Sequence, residues 1–440
     1  MKKDIIKSLI AIKQSDIPFD VIERDIKLPI NRKKIITIPG VRRCGKSTMM
    51  EIAINQLVDS GVSPKQILWL GFDDERMKSM TSDELDQIII SYMEMFPDIP
   101  IKEVYMFFDE IQLIPDWEYF VLRVYKSYCK NIYICGSNAT MLSSELSSAL
   151  RGYPLEYETY PLSFHEYCRF KQINTNFFLE QDKAKIKVAF DTYNRSSAFP
   201  EIVLTTSRSE QLKMLHSYFD TMILKDLSEH YQITNTSVVR YFVKRIMGNL
   251  TKPTSINAIY KDIRSQGLKV GKDDLYLWAN YVCDIFMFVR ISKYDRSLIK
   301  EQKSLEKYYC IDNGIRGAVL MPQSNDNGKN LENSVFMQLH RNRMPSDKIS
   351  YFQGTCECDF VLQREELVLQ LIQVTWDMSD PDTREREIKG LLEASAVTGC
   401  THLTIVTHDE ETTLTQAGKE IQVIPAWKWM LTQKGETTEE

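Results

Sequence analysis

The chain has 440 residues, of which 43% are hydrophobic and 26% are charged. This composition is typical of a globular protein and excludes a largely disordered or fibrous chain. The 55 basic and 60 acidic residues give a formal net charge of −5, which excludes a protein that coats nucleic acid by bulk charge but permits a local basic patch.

A length of this size predicts about three domains, at roughly 150 residues per domain. No apolar run approaches the roughly 18 residues of a membrane span. Residues 1–7 carry scattered charge and lack the apolar core of a secretory signal. The nine cysteines are scattered, and none forms a Cys-x-x-Cys pair. We therefore expect a cytoplasmic protein with free thiols and no membrane partner.

The first part of the chain alternates short apolar strands with helices. The predicted strands are 34–39, 66–72, 104–108 and 131–135, and the predicted helices are 47–57, 81–95 and 117–128. Because strands buried on both faces read as continuous apolar runs, this pattern indicates a parallel sheet covered by helices. The fold class predicted for this part is α/β.

The loop after the first predicted strand has the phosphate-binding pattern Gly-x-x-x-x-Gly-Lys-Ser/Thr. Glycines let the backbone N–H groups of such a loop close around phosphate oxygens, and the following helix adds the positive end of its dipole. The lysine would reach the β- and γ-phosphates of ATP, and the serine hydroxyl would bind Mg²⁺. The predicted nucleotide-binding residues are Gly40, Arg43, Cys44, Gly45, Lys46, Ser47 and Thr48, together with Asp109.

Two acids follow the third predicted strand, and polar residues follow the fourth. Asp109 would hold Mg²⁺ together with Ser47, and Glu110 would act as the catalytic base that polarises the attacking water. Asn138 is the candidate that senses the γ-phosphate or orients this water, with Ser137 as the alternative.

The charge that develops on the transferred phosphoryl group is stabilised by a cation, often an arginine from a neighbouring subunit. The candidates are Arg42 and Arg43 inside the loop and Arg151 after the fourth strand, with Arg151 taken as the catalytic one. Ordinary surface ion pairs are the alternative for each of them.

Three further regions follow. The pattern is mostly helical over 163–235. Three short helices over 240–288, the second capped by Ser255, precede two strands over 289–311, as in a winged helix. A polar loop at 323–329 then leads into another α/β unit, with a helix at 331–340 and strands near 350–352, 359–363 and 367–374.

The motifs around Lys46, Asp109 and Gly136-Ser137-Asn138 resemble those of a bacterial and archaeal family of AAA-type ATP-binding proteins. Members of this family join a P-loop ATPase to a winged-helix segment and a nuclease-like domain of poorly known function. One departure is Gly152-Tyr153, where the family often has Gly-Arg. Weaker matches follow in the family's order at Pro161-Leu162-Ser163-Phe164 with Glu166, Phe199-Pro200-Glu201, Tyr309 with Asp312-Asn313-Gly314, Leu331-Glu332-Asn333 and Glu357-Cys358-Asp359-Phe360-Val361.

The resemblance therefore extends over nearly the whole chain and implies four parts. They are an AAA-type P-loop ATPase core at 1–165, a helical segment completing it at 166–235, a winged-helix-like domain at 236–322, and a restriction-endonuclease-like domain at 323–440.

Nuclease chemistry of the implied type needs an Asp at the end of one strand, a Glu-x-Lys on the next, and Mg²⁺. Asp359 occupies such a place, and Glu332 on a helix would be a second acid. The next strand, however, has Gln373 and Thr375 at the expected Glu and Lys positions. An amide is a poor Mg²⁺ ligand, and threonine carries no charge. We therefore predict a nuclease fold without standard nuclease activity.

The segment 240–272 contains eight basic residues and a single acid, Asp262. Such a stretch can neutralise several phosphates, so nucleic acid is a candidate partner. The helix that would read bases begins with Lys272-Asp273-Asp274, and its two acids disfavour sequence-specific reading in the major groove. The basic residues are Arg240, Lys244, Arg245, Lys252, Lys261, Arg264, Lys269 and Lys272. Domain packing with these residues solvated is the alternative.

The sequence as a whole predicts a Mg²⁺-dependent ATPase whose nucleotide state controls the winged-helix and nuclease-like domains. A binding switch that does not hydrolyse ATP is one alternative, and a metal-dependent nuclease regulated by ATP is another. For the latter, Asp377 and Asp380 could form a different metal site, although they also suit a surface loop. A homo-oligomer or a protein partner is expected.

Overall fold

The computed structural model describes residues 2–30, 32–136, 152–320 and 326–432. The contacts divide the chain into two compact units, residues 1–160 with 284–286, and residues 161–283 with 287–440. The predicted boundaries at 165/166, 235/236 and 322/323 remain predictions. No helix in the described ranges combines the length and apolar character needed to cross a membrane.

The first unit is built on a five-stranded parallel sheet in the order β2-β3-β4-β1-β5. Its strands are β1 (Ile35–Pro39), β2 (Ile67–Gly71), β3 (Tyr105–Asp109), β4 (Asn131–Gly136) and β5 (Pro154–Glu156). Its helices are α1 (Lys2–Ser15), α2 (Lys46–Asp59), α3 (Asp86–Met95) and α4 (Trp117–Ser127).

Each face of this sheet is covered by its own hydrophobic cluster. One cluster joins α1, α3 and α4 to the sheet through residues such as Ile10, Ile88 and Val121. The other joins α2 to the opposite face through residues such as Ile54 and Leu57. Burial on both faces explains why β1 to β4 are apolar without alternation, as predicted from the sequence.

The helix expected over 81–95 begins differently from the prediction. Residues Ser82–Glu84 form a short 3-10 turn, and α3 starts only at Asp86. The predicted capping interaction is present, because the Glu84 carboxylate accepts a hydrogen bond of 3.0 Å from the backbone N–H of Thr81. A capping box therefore marks the start of this helical segment but not of its α-helical part.

The second unit begins with a helical region. Its first helices are α5 (Phe164–Phe170), α6 (Glu180–Arg195), α7 (Pro200–Leu204) and α8 (Arg208–Thr221), which continues into a π-helical segment, Met222–Glu229. Next come α9 (Thr236–Gly248), α10 (Ile256–Ser265) and α11 (Lys272–Asp284). The Ser255 hydroxyl caps α10 by accepting a hydrogen bond of 3.2 Å from the N–H of Ala258, as the sequence predicts.

A small three-stranded sheet in the order β6-β8-β7 follows these helices. It contains β6 (Pro253–Thr254), β7 (Phe288–Ile291) and β8 (Glu306–Cys310), and all its pairings are antiparallel. The segment between β7 and β8 contains α12 (Leu298–Gln302), and α13 (Asn313–Val319) comes after β8. The two strands expected over 289–311 are therefore present.

The C-terminal part contains a six-stranded mixed sheet in the order β13-β14-β12-β11-β10-β9. Its strands are β9 (Asp347–Gln353), β10 (Glu357–Arg364), β11 (Leu367–Val374), β12 (Leu403–Thr407), β13 (Thr412–Gln416) and β14 (Lys419–Pro425), and its helices are α14 (Asp326–Asn342), α15 (Pro381–Thr398) and α16 (Ala426–Thr432). The parallel sheet of the first unit, the helical middle and this mixed sheet confirm the predicted α/β fold class, with a sheet of the P-loop type at the N-terminus.

Several of the weaker sequence matches have structural roles in the second unit. Asp312 caps α13, and its carboxylate accepts hydrogen bonds from the N–H of Ile315 (2.9 Å) and of Ala198 (2.7 Å). A Cβ on Gly314 would lie 2.4 Å from the Cβ of Ser197, so only glycine fits this contact. Asn333 bonds both backbone groups of Cys310 at 2.8 Å. These side chains join the helical region to β8 and α14.

Candidate functional site

The carboxyl ends of four neighbouring strands meet at one edge of the parallel sheet. Gly71 at the end of β2 lies beside Asp109 at the end of β3, which in turn lies beside Cys135 in β4. Gly136, the last residue of β4, lies beside Pro39, the last residue of β1. The loop after β1 and the acids of β3 therefore open at the same edge, with β4 between them.

Two glycines give the loop after β1 its shape. Gly45 has φ 98° and ψ 28°, a left-handed conformation that favours glycine. A Cβ on Gly40 would lie 2.2 Å from the backbone oxygen of Thr159, so the close approach of these two segments requires glycine. Gly45 is also the N-cap of α2 and offers no side-chain cap, so the first N–H groups of α2 can bind an anion.

Lys46 begins α2 and is only 6% exposed. Its ammonium group donates hydrogen bonds of 3.1 Å to the backbone oxygens of both Gly40 and Val41. Burial lowers the pKa of Lys46, but the neighbouring Cys44 and Glu110 raise it, and the net shift is upward. The site therefore contains a buried cation whose hydrogen-bond acceptors are neutral.

The side chain of Asp109 is oriented by a buried thiol. Cys135 lies beside it in β4, and its Sγ donates a hydrogen bond of 2.6 Å to Oδ1 of Asp109. Burial raises the pKa of the Cys135 thiol well above its ordinary value, so the thiol keeps its proton and remains the donor. This contact fixes the carboxylate that the sequence predicts as a Mg²⁺ ligand.

Glu110 adopts a left-handed conformation with φ 54°, and its N–H donates a 3.0 Å hydrogen bond to the Cys135 oxygen. Burial raises the pKa of the Glu110 carboxyl, against the opposing effect of Lys46. A carboxylate with a raised pKa is a stronger base for taking a proton from water. Its position and its electrostatic surroundings therefore suit the predicted role.

The side chain of Gln112 positions the Glu110 carboxylate through a hydrogen bond. Its Nε2 donates a hydrogen bond to the Glu110 carboxylate, and its side chain is 8% exposed. Its Oε1 is buried and has no hydrogen-bond partner among the described residues. A Cβ on Gly136 would lie 2.6 Å from this oxygen, so glycine at the end of β4 leaves the space that the amide occupies.

The remaining predicted site residues lie on the same loop or outside the described part of the chain. Ser47 and Thr48 are half-buried in the first turn of α2, and the exposed Arg43 has φ 72°. Arg42 is among the charges that lower the pKa values of Glu110 and Asp73, so its charge acts on these acids. Three of the predictions fall outside the described residues, namely Ser137, Asn138 and Arg151.

Sequence reasoning missed Arg24 and Asp73. The buried guanidinium of Arg24 donates hydrogen bonds to the backbone oxygens of Cys44 (2.9 Å) and Tyr160 (2.8 Å), which ties the phosphate loop to the segment after β5. Asp73 follows β2 at the same sheet edge, where burial and the nearby Asp109 raise its pKa. The sequence signal for Asp73 was its place after an apolar strand, whereas no local pattern marks Arg24.

These residues fit ATP with Mg²⁺. The segment from Gly40 to Lys46 offers three features to a polyphosphate. These are a backbone conformation that requires glycine, a helix start without a side-chain cap, and a buried ammonium group. Ser47 and Asp109 would hold the cation. In the described residues, no group of three or more His, Cys, Asp or Glu side chains could hold a metal ion. A two-residue set agrees with the way Mg²⁺ binds nucleotides, mostly through water and phosphate oxygens.

Comparison with protein families also supports nucleotide binding by the first unit. Residues 32–168 match the family described as "AAA domain". This range contains the phosphate loop, Asp109 and Glu110. Residues 189–326 match a family described as "Domain of unknown function (DUF8612)". The first match supports nucleotide binding at the level of the domain, and the second does not suggest an activity.

Two curated relatives are uncharacterized proteins. One, MJ1544 of Methanocaldococcus jannaschii, is 28% identical over 422 residues, which cover 94% of this chain and 91% of that protein. The other, from Haemophilus influenzae, is 26% identical over 349 residues, which cover 79% of this chain and 83% of that protein. The chain is therefore similar in length and layout to proteins from an archaeon and a bacterium.

Two solved structures with partial similarity to this chain have lower sequence identity. C. elegans PCH-2 is 13% identical, with a TM-score of 0.25, covering 54% of this chain and 61% of that chain. A structure titled Drosophila ORC bound to AT-rich DNA and Cdc6 is 11% identical, with a TM-score of 0.19, covering 72% of this chain and 93% of that chain.

A second buried charge cluster lies in the second unit, around a lysine that sequence reasoning missed. Lys307 of β8 is completely buried, and its ammonium group contacts Glu357, Glu332 at 3.5 Å and Asp359 at 3.6 Å. Burial lowers the pKa of Lys307, but the charges of Glu332 and Asp359 raise it by more than burial lowers it. The net shift of the pKa is upward, so the lysine is charged. The Tyr309 hydroxyl donates a 2.9 Å hydrogen bond to Glu332.

The acids predicted from the nuclease resemblance therefore meet in space, together with an ammonium group from another sheet. Gln373 lies beside Asp359, whose N–H donates a 3.1 Å hydrogen bond to the Gln373 Oε1, and the Gln373 amide donates to Glu387. The hydroxyl of Thr375 donates 3.2 Å to the Asp377 backbone oxygen. Gln373 thus has a hydrogen-bonding role at the position where the nuclease pattern expects a metal-binding acid.

The basic stretch 240–272 is less positive than its composition predicts. Two of its arginines form ion pairs, Arg240 with Asp220 and Arg245 with Asp262, the second at 3.0 Å. Its exposed lysines include Lys244, and Asp274 accepts a 3.1 Å hydrogen bond from the N–H of Gly271 at the start of α11. Asp274 therefore serves the helix start, and the statement that the acids there disfavour base reading stays a prediction.

Proposed function

We propose that the first unit binds ATP with Mg²⁺ and hydrolyses it. The observation that carries this proposal is the register of β1, β4 and β3, which brings the Lys46 loop and the acids Asp109 and Glu110 to one sheet edge. One intervening strand separates the phosphate loop from the acids. A γ-phosphate held at the loop can therefore have an attacking water between it and Glu110.

Each residue of the site has a distinct role in this reaction. Lys46 exchanges its contacts with the Gly40 and Val41 oxygens for phosphate oxygens, and the α2 amides bind the remaining phosphate charge. Glu110 accepts the proton of the water that attacks the γ-phosphorus, while the bond from this phosphorus to the ADP oxygen breaks. When bound, Mg²⁺ neutralises charge on the β- and γ-phosphates, and Ser47 and Asp109 would hold it.

The test is ATP turnover together with ATP affinity. We expect Lys46→Ala to abolish both, and Glu110→Gln to lower turnover by about 10²- to 10⁴-fold while ATP still binds. Matched controls lie at the other end of β3, where Lys102→Ala and Glu103→Gln change the same residue types at exposed positions. Wild-type protein without turnover, or Glu110→Gln with wild-type turnover, would contradict the proposed hydrolysis.

A binding switch that does not hydrolyse ATP is the second candidate. The hydrogen bond from Gln112 to Glu110 favours it, because a carboxylate that is already bonded is less available to water. Tight ATP binding with no turnover by the wild-type protein, alone or with nucleic acid, would support this candidate. Measuring both ATP turnover and ATP affinity therefore distinguishes a binding switch from an ATPase.

We further propose that the nucleotide state controls the second unit. Its three helices α9 to α11 and the antiparallel β7 and β8 suit a winged-helix module, and the six-stranded sheet suits a restriction-endonuclease-like fold. Hydrogen exchange measured on the Glu110→Gln protein with ATP and with ADP tests this control. Identical exchange throughout the second unit in both states would contradict it. Light scattering in the same two states tests for the expected homo-oligomer.

The nuclease-like part is proposed to be inactive. The Lys307 ammonium group occupies the centre of the acids that a metal ion would need, and Gln373 and Thr375 replace the expected Glu and Lys. We expect no cleavage of DNA or RNA with Mg²⁺ or Mn²⁺ at any nucleotide state. Metal-dependent cleavage that disappears in Asp359→Ala would overturn this proposal and favour the ATP-regulated nuclease.

A further inference from the structure

An open groove in the second unit is lined by three lysines that none of the preceding roles explains. It has a volume of about 430 Å³, and Lys293, Lys300, Lys303, Asp295, Tyr351 and Leu305 are among its lining residues. The three lysines form no ion pair with any described residue, whereas Arg290 and Lys348 on the flanking strands β7 and β9 pair with Glu306 and Glu301. Three lysines without an ion-pair partner among the described residues therefore line one concave surface.

The backbone that carries these lysines is well anchored. The segment between β7 and β8 forms a bridge from Lys293 to Tyr351 of β9, and the Tyr351 hydroxyl donates a 2.7 Å hydrogen bond to the Leu305 oxygen. The N–H of Lys293 also donates 3.2 Å to the hydroxyl of Ser304, which joins the two ends of the segment. An anchored backbone lowers the entropic cost of holding several cations in one place.

Two acids beside the groove are bonded to residues outside its lining, and a third acid lines it. Glu301 accepts hydrogen bonds from Lys348 (2.6 Å) and Ser292 (2.7 Å). Glu357, which pairs in register with the groove residue Gln353, directs its carboxylate to the buried Lys307. Asp295 is the one acid that lines the groove, and it accepts a 2.9 Å hydrogen bond from the Ser297 N–H. The groove therefore has a net positive charge.

The shape and the chemistry of the groove favour a chain of phosphates. An open groove with cations spread along it suits a polyanion that extends through it, whereas a single phosphate needs ligands that converge on one point. A flat bilayer surface cannot enter a concavity. Two exposed apolar residues directly precede Lys300 on α12, namely Leu298, which is 71% exposed, and Ile299, which is 66% exposed. Such side chains can pack against the bases of a nucleic acid.

We propose that this groove binds the phosphodiester backbone of a nucleic acid through Lys293, Lys300 and Lys303. The three ammonium groups neutralise phosphates and release counterions, so the contact is independent of base sequence and sensitive to salt. The site differs from the basic stretch 240–272, and it does not depend on the proposed ATPase activity.

The experiment measures binding of the full chain to a labelled single strand of 25 nucleotides and to the corresponding duplex by fluorescence anisotropy. The measurements are made without ATP or ADP and over a range of salt concentrations. The test variant is the triple substitution Lys293→Gln, Lys300→Gln and Lys303→Gln. We expect its affinity for nucleic acid to fall at least about tenfold, and the slope of log K against log salt to decrease by about 2 for the single strand. Comparison of DNA with RNA identifies the preferred nucleic acid.

A charge-matched control comes from the basic stretch. The triple substitution Lys244→Gln, Lys261→Gln and Lys269→Gln also removes three exposed lysines, so it changes the net charge equally. We expect it to retain nucleic-acid affinity within about threefold, since distant exposed charges are largely screened at physiological salt. Thermal unfolding of both variants verifies that each one is folded.

Three results would overturn the proposal. One is wild-type protein that binds neither strand form at micromolar concentration. The second is an equal loss in both triple variants, or a loss in the 244/261/269 variant alone, which would place binding on the basic stretch. The third is retention on vesicles with anionic lipid that depends on the groove lysines and is not displaced by nucleic acid. ATP turnover of the groove variant is measured separately and is expected to be unchanged.

Discussion

Both units contain a buried lysine near carboxylates, and the two lysines differ in what they contact. The Lys46 ammonium group donates hydrogen bonds to two backbone carbonyls, and the charges of Glu110 and Asp109 act on it from nearby by raising its pKa. The Lys307 ammonium group contacts three carboxylates directly. Carbonyls are weaker acceptors than carboxylates, so Lys46 can change partners when a phosphate arrives.

Lys307 has no such freedom. Moving it would leave the carboxylates of Glu332, Glu357 and Asp359 partly buried without a counter-charge, which is strongly unfavourable. A buried lysine beside acids is therefore not by itself evidence of a ligand site. The acceptors that the ammonium group already has decide whether it is available to a ligand or holds the fold together.

The largest expected effect comes from removing each lysine in turn. Lys307→Met should lower the free energy of unfolding of the second unit by about 3–5 kcal/mol, because three acids lose their cation. Lys46→Met should remove ATP binding and change the stability of the first unit by less than about 1 kcal/mol. Urea unfolding followed by hydrogen exchange on peptides of each unit measures both quantities.

Lys348→Met serves as the control, because this exposed lysine on β9 also pairs with a glutamate. Its expected loss is below about 1 kcal/mol. Similar losses of stability for Lys46→Met and Lys307→Met would break the distinction between the two sites.

A pH effect should follow from the same cluster. Burial raises the pKa values of Asp359 and Glu332 in the folded protein, so the folded state holds these protons more tightly than the unfolded state. Stability from this source therefore increases as the pH falls, and removing Lys307 enlarges the effect. The loss caused by Lys307→Met should shrink by about 2 kcal/mol between pH 8 and pH 5. A loss that is independent of pH would mean that charge is not its cause.

Gln112 offers a smaller test inside the first site. Gln112→Leu removes the hydrogen bond to Glu110 and should lower ATP turnover about tenfold, equivalent to about 1.4 kcal/mol, with ATP affinity unchanged. Gln112→Glu should shift the pH–rate profile to higher pH, because a second carboxylate raises the pKa of Glu110. A faster Gln112→Leu enzyme would instead indicate that Gln112 restrains Glu110, as expected of a switch.

The smallest expected effect concerns the support of the phosphate loop. The substitution Arg24→Lys replaces the guanidinium with one compact ammonium group, which cannot reach both the Cys44 and the Tyr160 oxygens. We expect ATP affinity to weaken about fivefold, equivalent to about 1 kcal/mol, with little change in the turnover number at saturating ATP. Arg76→Lys is the control, since Arg76 pairs with its neighbour Asp74 at the surface. Unchanged affinity in Arg24→Lys would show that the loop keeps its shape without this contact.

The first unit could be predicted well from local patterns. Apolar runs identified β1 to β4, and the spacing of Gly40, Gly45 and Lys46 identified the phosphate loop. These features are local because a strand buried on both faces must be apolar throughout, and a loop that wraps phosphates must have glycine where no Cβ fits. The fold class and the placement of Asp109 and Glu110 at the sheet edge followed from the same patterns.

The supporting contacts could not be predicted in the same way. Arg24 donates a hydrogen bond to Tyr160, which is 136 positions away in the sequence. The thiol of Cys135 in β4 donates a hydrogen bond to Asp109 in the neighbouring strand β3. Nothing in the sequence around Arg24 or Cys135 distinguishes them from other buried residues. Their roles depend on which strands become neighbours.

The sequence by itself determined the α/β order of elements, the phosphate loop with Lys46, and the acids at the end of β3, because each of these rests on residues close together in the chain. Only the tertiary structure decided that Lys307 of one sheet neutralises Glu332, Glu357 and Asp359 near another. It alone also showed that the lysines of the 292–305 segment share one groove. The physical reason is that charge compensation depends on distance in space, and long-range packing brings these groups together without leaving a local pattern.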